Sequence, residues 1–358
     1  MGKIAFVFAG QGAQYPGMGK EIYEDSPAAK AVFHMAEKIR PGTMEQCFSA
    51  SKEELGRTVN TQPCLFAVDL AIAEALAALL KERGVCPQGA AGFSLGELPA
   101  LAFAGAFGGT RAGAFEDGKG AFEDGKGALE GGEGAFADAA GWEQGFRLVV
   151  KRGRAMDQAA QAKEGGMAAV LKLSPETVVS LCREQDDVYP VNFNGPAQTV
   201  VAGGKDALKA FAQRVKAEKG LAVPLAVSGA FHSPYMEQAF SQLAGALEDA
   251  HYTQASIDVY ANVDAKPYPA DGGEAKARIA AQVKSPVQWQ KTVENMAARG
   301  FDTFVEVGPG KTLSGLIKKI LPAAAVYNVE NAEDLHKTAD ALSTGRQPGR
   351  DGEKAACI

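Results

Sequence analysis

The chain has 358 residues, of which 46% are hydrophobic and 22% are charged, and its formal net charge is −6. This composition is typical of a folded soluble protein, and the modest charge argues against nucleic acid or a membrane surface as a partner. The length allows one large domain, or a large domain with a smaller one inserted in it. No apolar run approaches the ~20 residues that span a bilayer, and the opening MGKIAFVFAG is too short for a signal peptide. We expect a cytoplasmic protein, and we also expect a monomer.

The cysteines indicate neither a disulfide framework nor a metal centre. They are odd in number, widely spaced and free of the C-x-x-C pattern. We expect reduced thiols, no bound metal and no cofactor. The five positions are Cys47, Cys64, Cys86, Cys182 and Cys357.

The first elements follow an α/β pattern. Ile4 to Phe8 is a short apolar run that predicts a buried strand, and it ends in the turn Gly10-Gln11-Gly12. A helix is predicted from Pro63 to Arg83, where leucine, valine and isoleucine recur at helical spacing. Another apolar helical stretch runs from Leu95 to Ala104.

A seven-residue unit repeats with decay inside residues 108–140, beginning AFEDGKG-AFEDGKG-ALEGGEG at Ala114. Over 114–134, six acidic residues and two lysines give a net charge of −4. The glycines weaken a helix by ~1 kcal/mol each, so a coiled coil is disfavoured. The pattern predicts a surface insertion with a small chance of carrying chemistry, and residues 343–358 are expected to form a disordered tail.

The order of elements in residues 166–227 indicates a separate unit. MAAVLKL is strand-like, a helix opens at Ser174-Pro175, and two strands follow, split by Asn194-Gly195-Pro196. A helix from Asp206 to Lys219 and a last strand complete a βαββαβ order, which is typical of the ferredoxin-like fold. We expect this subdomain to be inserted in a large α/β domain formed by residues 1–165 and 228–342.

Ser94 is the candidate nucleophile. It lies in Gly92-Phe93-Ser94-Leu95-Gly96, which fits the nucleophile elbow, a sharp strand-to-helix turn that projects a serine hydroxyl. The motif alone is weak, because a glycine-rich chain produces it by chance. The helix predicted to follow it would favour a developing oxyanion at its N-terminus.

His232 is the best candidate for the general base among four histidines. It follows a predicted strand and precedes a helix, in Ser228-Gly229-Ala230-Phe231-His232-Ser233-Pro234. Catalytic side chains of α/β folds collect in loops of this kind. A single histidine in a loop is more often an ordinary hydrogen-bonded surface group than a general base. The chain has few histidines, and finding one at this kind of position favours the catalytic interpretation.

Seven short blocks, taken together, resemble the bacterial malonyl-CoA:acyl carrier protein transacylases, relatives of polyketide-synthase acyltransferase domains. The resemblance covers nearly the whole chain except residues ~108–140 and the tail. It implies an α/β-hydrolase-like large domain with an inserted ferredoxin-like subdomain. In chain order the blocks are Gly10-Gln11-Gly12-Ala13-Gln14, Gly92 to Glu97, Lys151 to Met156, Val191 to Asn194, Ala230 to Ser233, Ser285 to Trp289, and Glu306 to Lys311.

The resemblance also implies roles for individual residues. Ser94 would be the nucleophile and His232 its base. Gln288 resembles the residue whose main-chain carbonyl orients that histidine. The backbone N–H groups of Gln11 and Leu95 would form the oxyanion hole.

Arg152 matches the arginine that holds the malonyl carboxylate in this family. A guanidinium suits that task independently of the resemblance, because it presents two parallel donors to a carboxylate. Arg152 and Arg154 are two residues apart and cannot share a helix face, so we expect one to point inward and the other to be solvated.

Two phenylalanines bear on the choice of substrate. In related acyltransferases an Ala-Phe-His form accompanies malonyl, and Phe231 would occupy the space that an α-methyl group needs. Phe93 is a departure from the family, which usually has histidine before the nucleophile. We expect the chemistry to survive this change, with some effect on packing or substrate fit.

The predicted function is transfer of malonyl from malonyl-CoA to the phosphopantetheine thiol of acyl carrier protein, for fatty acid synthesis. Three alternatives stay open: an acyltransferase serving a polyketide synthase, a serine thioesterase or hydrolase, and a non-catalytic binding module that keeps the fold. Carrier proteins of this kind are acidic, so Lys311, Lys318 and Lys319 are candidates for a docking patch.

Overall fold

The computed structural model describes residues 2–108 and 139–344. Its strands are β1 Lys3–Phe8, β2 Gly89–Gly92, β3 Gly166–Leu171, β4 Val188–Gly195, β5 Gln198–Gly203, β6 Leu221–Pro224, β7 Asp258–Tyr260, β8 Phe301–Val307 and β9 Ala325–Val329. Its α-helices are α1 Lys20–Asp25, α2 Pro27–Ile39, α3 Thr43–Ser49, α4 Lys52–Gly56, α5 Thr58–Glu82, α6 Glu97–Phe103, α7 Ala139–Ala162, α8 Pro175–Arg183, α9 Lys205–Ala217, α10 Glu237–Glu248, α11 Gly272–Ala281, α12 Trp289–Ala298, α13 Thr312–Ile320 and α14 Ala332–Thr344. Three 3-10 turns span Ser94–Gly96, Pro234–Met236 and Gln282–Lys284.

A five-stranded parallel sheet forms the centre of the protein, in the order β7-β2-β1-β8-β9. Alternate residues of β1 point to opposite faces, as the pleat requires. Phe6 and Phe8 pack in the larger core on one face, while Ala5 and Val7 pack in a second core on the other. Covering of both faces by helices explains why the strand is apolar throughout.

The carboxyl ends of three central strands lie level with one another. Phe8 of β1 is in register with Gly92 of β2 and with Val307 of β8. The loops that leave these strands therefore start side by side. Ligand sites of open parallel sheets collect at this edge.

Helix α5 is the longest element and is embedded in the core. It begins at Thr58, five residues before the predicted start, so Pro63 lies inside the helix. Its 25 residues make it the one helix of the described part of the chain that could cross a membrane by length and composition. However, 78% of the relevant window is buried inside the protein, as in the core helix of a soluble domain. The expectation of no apolar run of this length was therefore wrong.

A second, antiparallel sheet has the order β4-β5-β3-β6. Its elements occur in the predicted order βαββαβ, and α8 begins as predicted at a Ser174 N-cap, whose hydroxyl accepts from Thr177 N. Helices α8 and α9 cover one face, and the core between them and the sheet includes Val170 of β3 and Phe211 of α9. The predicted mixed α/β architecture with a separate small sheet is thus confirmed.

The small sheet is joined to the large domain by backbone hydrogen bonds. Phe193 N donates to Val287 O and Val287 N donates to Val191 O, at 2.9 and 2.8 Å.

The predicted insertion at 108–140 lies outside the described residues except at its ends, and so does the tail beyond Thr344. The proposed domain limits stay predictions.

Candidate active site

Ser94 lies on a tight turn between β2 and α6. Its φ of 54° is in the left-handed region, which residues with a Cβ seldom adopt. A Cβ added at Gly92 would lie 1.9 Å from the carbonyl carbon of Gly96, and one added at Gly96 would lie 2.3 Å from Phe8 O. Glycine is therefore required on both sides of the serine, and the turn has the geometry of a nucleophile elbow.

His232 is within hydrogen-bonding distance of the serine. The distance from Ser94 Oγ to His232 Nε2 is 2.7 Å, and His232 Nδ1 lies 2.9 Å from the main-chain oxygen of Gln282. Because a carbonyl oxygen only accepts, we assign the ring proton to Nδ1, which leaves the lone pair of Nε2 toward the serine. This tautomer can take the proton of the Ser94 hydroxyl.

The structure corrects the prediction for Gln288. The Gln288 carbonyl accepts from Thr292 N at 2.8 Å, in the first turn of α12, so it does not orient the histidine. The carbonyl beside His232 belongs to Gln282, which lies six residues earlier in the 3-10 turn Gln282–Lys284. The turn that precedes Ser285-Pro286 therefore presents its main-chain carbonyl to His232, and α12 does not.

Burial holds the His232 imidazole in its neutral form. The side chain is 4% exposed, and burial followed by the positive charge of Arg152 lowers the pKa of His232 to about 4. Hydrogen bonds to the main chain at Gln282 and Ser285 act in the opposite direction. At neutral pH the ring is therefore available as a base.

Arg152 reaches the serine from helix α7. Its Nη2 donates to Ser94 Oγ at 3.1 Å and to Gln282 Oε1 at 2.8 Å, and its Nη1 donates to Gln62 Oε1 at 2.8 Å. The side chain is 2% exposed, whereas Arg154 is solvated, as expected for residues two apart. Of the two arginines, the one singled out by the family motif is the one that points inward.

The guanidinium of Arg152 carries a buried charge among neutral partners. Burial lowers the pKa of Arg152 to about 10, with Glu97 acting in the opposite direction, so the group is charged at neutral pH. Within residues 2–108 and 139–344, no carboxylate forms an ion pair with it. An anionic group brought by a substrate would supply the missing countercharge.

Gln11 follows β1 in a loop that is pressed against the elbow. A Cβ added at Gly10 would lie 2.6 Å from Phe93 O, so this loop approaches the elbow at the van der Waals limit. The Gln11 side chain donates to Thr58 Oγ1 at 3.3 Å. Leu95 is fully buried one residue after the serine. The two main-chain segments predicted to form an oxyanion hole thus meet at the same sheet edge.

Each of the two phenylalanines directly precedes a candidate catalytic residue, Phe93 before Ser94 and Phe231 before His232. The Phe93 ring packs edge-on against Trp289, with 5.6 Å between ring centroids. Phe231 is 6% exposed and belongs to the larger core. Phe93 therefore fills space between the elbow and α12.

Three amide side chains in the site were missed from the sequence. Gln62 and Gln282 accept from Arg152, and Asn262 accepts from Ser94 N at 2.7 Å. Gln62 lies in the polar first turns of α5, before Pro63 and outside the predicted helix, so no pattern in the sequence marked it. Asn262 and Gln282 lie in loops and turns, where an amide is ordinary.

Comparison with known proteins identifies the family. The sequence model of the protein family described as acyl transferase domain matches residues 5–112 and 132–344 of this chain. The malonyl CoA-acyl carrier protein transacylase of Bacillus subtilis is 35% identical over 343 residues, which cover 93% of this chain and 96% of that protein. A crystal structure of malonyl CoA-acyl carrier protein transacylase from Clostridium perfringens has a TM-score of 0.81 and 33% identity, over 96% and 98% of the two chains.

A further solved structure is a complex of a type II polyketide-synthase acyl-carrier protein with its malonyl-transacylase. It matches with a TM-score of 0.80 and 30% identity, over 95% of this chain and 99% of that one. These matches extend over nearly the whole of each protein. The chain therefore belongs to the acyl transferase domain family, among the malonyl CoA-acyl carrier protein transacylases.

Proposed function

We propose that this chain transfers malonyl from malonyl-CoA to the phosphopantetheine thiol of acyl carrier protein, through an ester on Ser94. The observation that supports this best is the buried Arg152 guanidinium, 3.1 Å from Ser94 Oγ and paired only with neutral groups. An acyl group that ends in a carboxylate fits such a site, because it supplies the countercharge while its other end reaches the serine. A neutral acyl chain would leave the charge unpaired.

The first half-reaction forms the ester. Ser94 Oγ attacks the thioester carbonyl as its proton passes to His232 Nε2, and N–H groups of Gln11 and Leu95 receive the developing oxyanion. The carbon–sulfur bond then breaks, and His232 gives its proton to the departing CoA sulfur. The malonyl group remains on Ser94, with its carboxylate on Arg152.

The second half-reaction follows the reverse path. The carrier-protein thiol gives its proton to His232 as its sulfur attacks the ester carbonyl. The bond to Ser94 Oγ breaks, and the serine recovers the proton from His232. The Gln282 carbonyl holds the Nδ1 proton of His232 in both halves, so the ring stays in one orientation. No cofactor beyond the CoA thioester takes part.

Docking of the carrier protein would occur at the edge of the parallel sheet where Ser94 lies. Helix α13 begins at that edge after β8, and Lys311 precedes its first residue. Lys318 and Lys319 are also exposed but lie in its last turn, about 10 Å further along. Lys311 is thus the best placed of the three for an acidic partner.

The proposal includes a cytoplasmic monomer that acts in fatty acid synthesis, with service to a polyketide synthase as the alternative.

Brief mixing with malonyl-CoA should leave a malonyl adduct on the wild-type protein that intact-protein mass spectrometry detects. Ser94→Ala should show no adduct, while Ser228→Ala, which removes a hydroxyl 3.4 Å from Thr58 Oγ1, should keep it. The adduct should disappear when carrier protein is added. Steady release of free malonate without an adduct would instead favour the hydrolase.

Arg152→Ala should lower the rate of malonyl transfer about 10- to 100-fold more than the rate of acetyl transfer. The reason is that only the malonyl group loses a charge-assisted hydrogen bond. Single-turnover acylation with the two CoA esters measures both rates. Arg154→Ala, on the exposed face of the same helix, is the matched control, and equal losses on both esters would contradict the carboxylate site.

Phe231→Ser should raise the ratio of methylmalonyl to malonyl transfer about 10-fold, because a smaller side chain leaves room for an α-methyl group. The ratio is measured in one competition assay, so a general loss of stability does not affect it. An unchanged ratio would remove the steric account of Phe231.

The reaction of Ser94 with a neutral sulfonyl fluoride should be nearly independent of pH between 8 and 5.5. With its pKa lowered to about 4, His232 stays unprotonated over this range, and the rate should fall only as the pH approaches 4. A histidine at its ordinary pKa of 6.5 would be about nine-tenths protonated at pH 5.5, and the rate would fall about 10-fold. An inflection near pH 6.5 would therefore show that His232 is not shifted in this way.

A further inference from the structure

The elbow places Ser94 in a backbone conformation that must be held from outside. Its φ of 54° is unfavourable for a residue with a side chain, so the turn by itself does not maintain it. The flanking glycines permit the close approach of the chain, and Gly96 N donates to Phe93 O at 3.0 Å within the turn, which leaves the Ser94 N–H to a partner outside the turn. The contacts of the Ser94 main chain must therefore supply a restraint that its hydroxyl contacts do not.

Asn262 contacts the main chain on both sides of Phe93. Its Oδ1 accepts from Ser94 N at 2.7 Å, and its Nδ2 donates to Gly92 O at 2.7 Å. One planar carboxamide thus supplies an acceptor and a donor to the two backbone groups that enter the turn. This pair of bonds needs one acceptor and one donor on the same side chain. An ionised aspartate has only acceptors and a leucine has neither, so neither residue could replace asparagine here.

Asn262 is itself held by the opposite end of the elbow. It is 1% exposed, and its N–H donates to Glu97 Oε2 at 2.6 Å. Glu97 is the first residue of α6, and its other carboxylate oxygen accepts from the Tyr268 hydroxyl. The Asn262 carbonyl accepts from Gln288 N at 2.9 Å. The network therefore runs from one end of the turn to the other through the segment after β7.

The Ser94 carbonyl is held separately. It accepts a hydrogen bond from Gln282 Nε2. This carbonyl shares a peptide plane with the N–H of Leu95, so its orientation also sets the direction of that N–H. With Asn262 on the N–H side and Gln282 on the carbonyl side, both peptide groups of Ser94 are fixed.

We propose that Asn262 is a positioning residue, which holds Ser94 in the conformation that directs Oγ at His232 and supports the Leu95 N–H in the oxyanion hole. The inference rests on the proposed role of Ser94 as the nucleophile. Asn262 acts through the serine main chain and touches no substrate. Its loss should therefore slow every reaction of Ser94 by the same factor, whatever the acyl group.

The test compares Asn262→Ala with a matched control, Asn295→Ala. Asn295 Nδ2 donates to Ala265 O at 2.9 Å, so the control removes an asparagine bond to the same inter-element segment without touching the elbow. A fluorophosphonate that labels the serine, followed by mass spectrometry, gives the reactivity of Ser94 without malonyl-CoA. Single-turnover acylation with malonyl-CoA and acetyl-CoA gives the rate and the half-saturating concentration for each ester.

For Asn262→Ala we expect labelling and both acylation rates to fall together, about 100-fold, with half-saturating concentrations within about 3-fold of wild type. Asn295→Ala should react at nearly the wild-type rate. Tyr268→Phe, which removes one bond to Glu97, should show a smaller loss with the same pattern and serves if the alanine variant does not fold.

Wild-type labelling of Asn262→Ala would overturn the proposal, and so would equal losses in Asn295→Ala. A loss confined to malonyl-CoA would also overturn it, because that pattern belongs to Arg152. If the proposed malonyl transfer itself failed, the labelling rates would still decide whether Asn262 positions the serine.

Discussion

The buried positive charge of Arg152 acts on the groups that surround the Ser94 hydroxyl. It is 2% exposed and stays charged at neutral pH although burial lowers its pKa to about 10. The same charge helps to lower the pKa of His232. In the proposed function this one group would bind the malonyl carboxylate, and together with burial it disfavours protonation of His232. When a malonyl carboxylate binds, part of this field is cancelled, and we expect His232 to become a stronger base at the moment it is needed.

Gln282 connects the parts of the site that this charge influences. Its main-chain oxygen receives the Nδ1 proton of His232, and its side-chain oxygen receives a hydrogen bond from Arg152. Its Nε2 holds the carbonyl of Ser94. A single residue in a short 3-10 turn therefore fixes the His232 ring, the Arg152 guanidinium and the Ser94 carbonyl relative to one another. A shift of that turn would disturb all three at once.

The sequence was informative where function depends on side-chain type or on glycine. Ser94, His232 and Arg152 are brought together as the motifs predicted, and the strand-to-helix signals around them were correct. The prediction failed at Gln288 because the role belongs to a main-chain carbonyl, which every residue carries, and only the path of the turn selects Gln282. It also failed at the start of α5, since a proline can be tolerated inside a helix that the core supports. Asn262 was missed because a loop asparagine is unremarkable without its partners.

The choice of amides around Arg152 has a chemical consequence. Gln62 and Gln282 accept from the guanidinium without neutralising it. A resident carboxylate in their place would satisfy the same donors but would compete with the carboxylate of a substrate. Burial raises the pKa of Glu97 to about 7, so this acid is only partly ionised at neutral pH when its charge acts on Arg152. Its two oxygens are bonded instead to Asn262 N and to the Tyr268 hydroxyl. The same bonds that tie Glu97 to the elbow therefore keep it from pairing with the guanidinium, and under the proposed function that cation is left for the malonyl carboxylate.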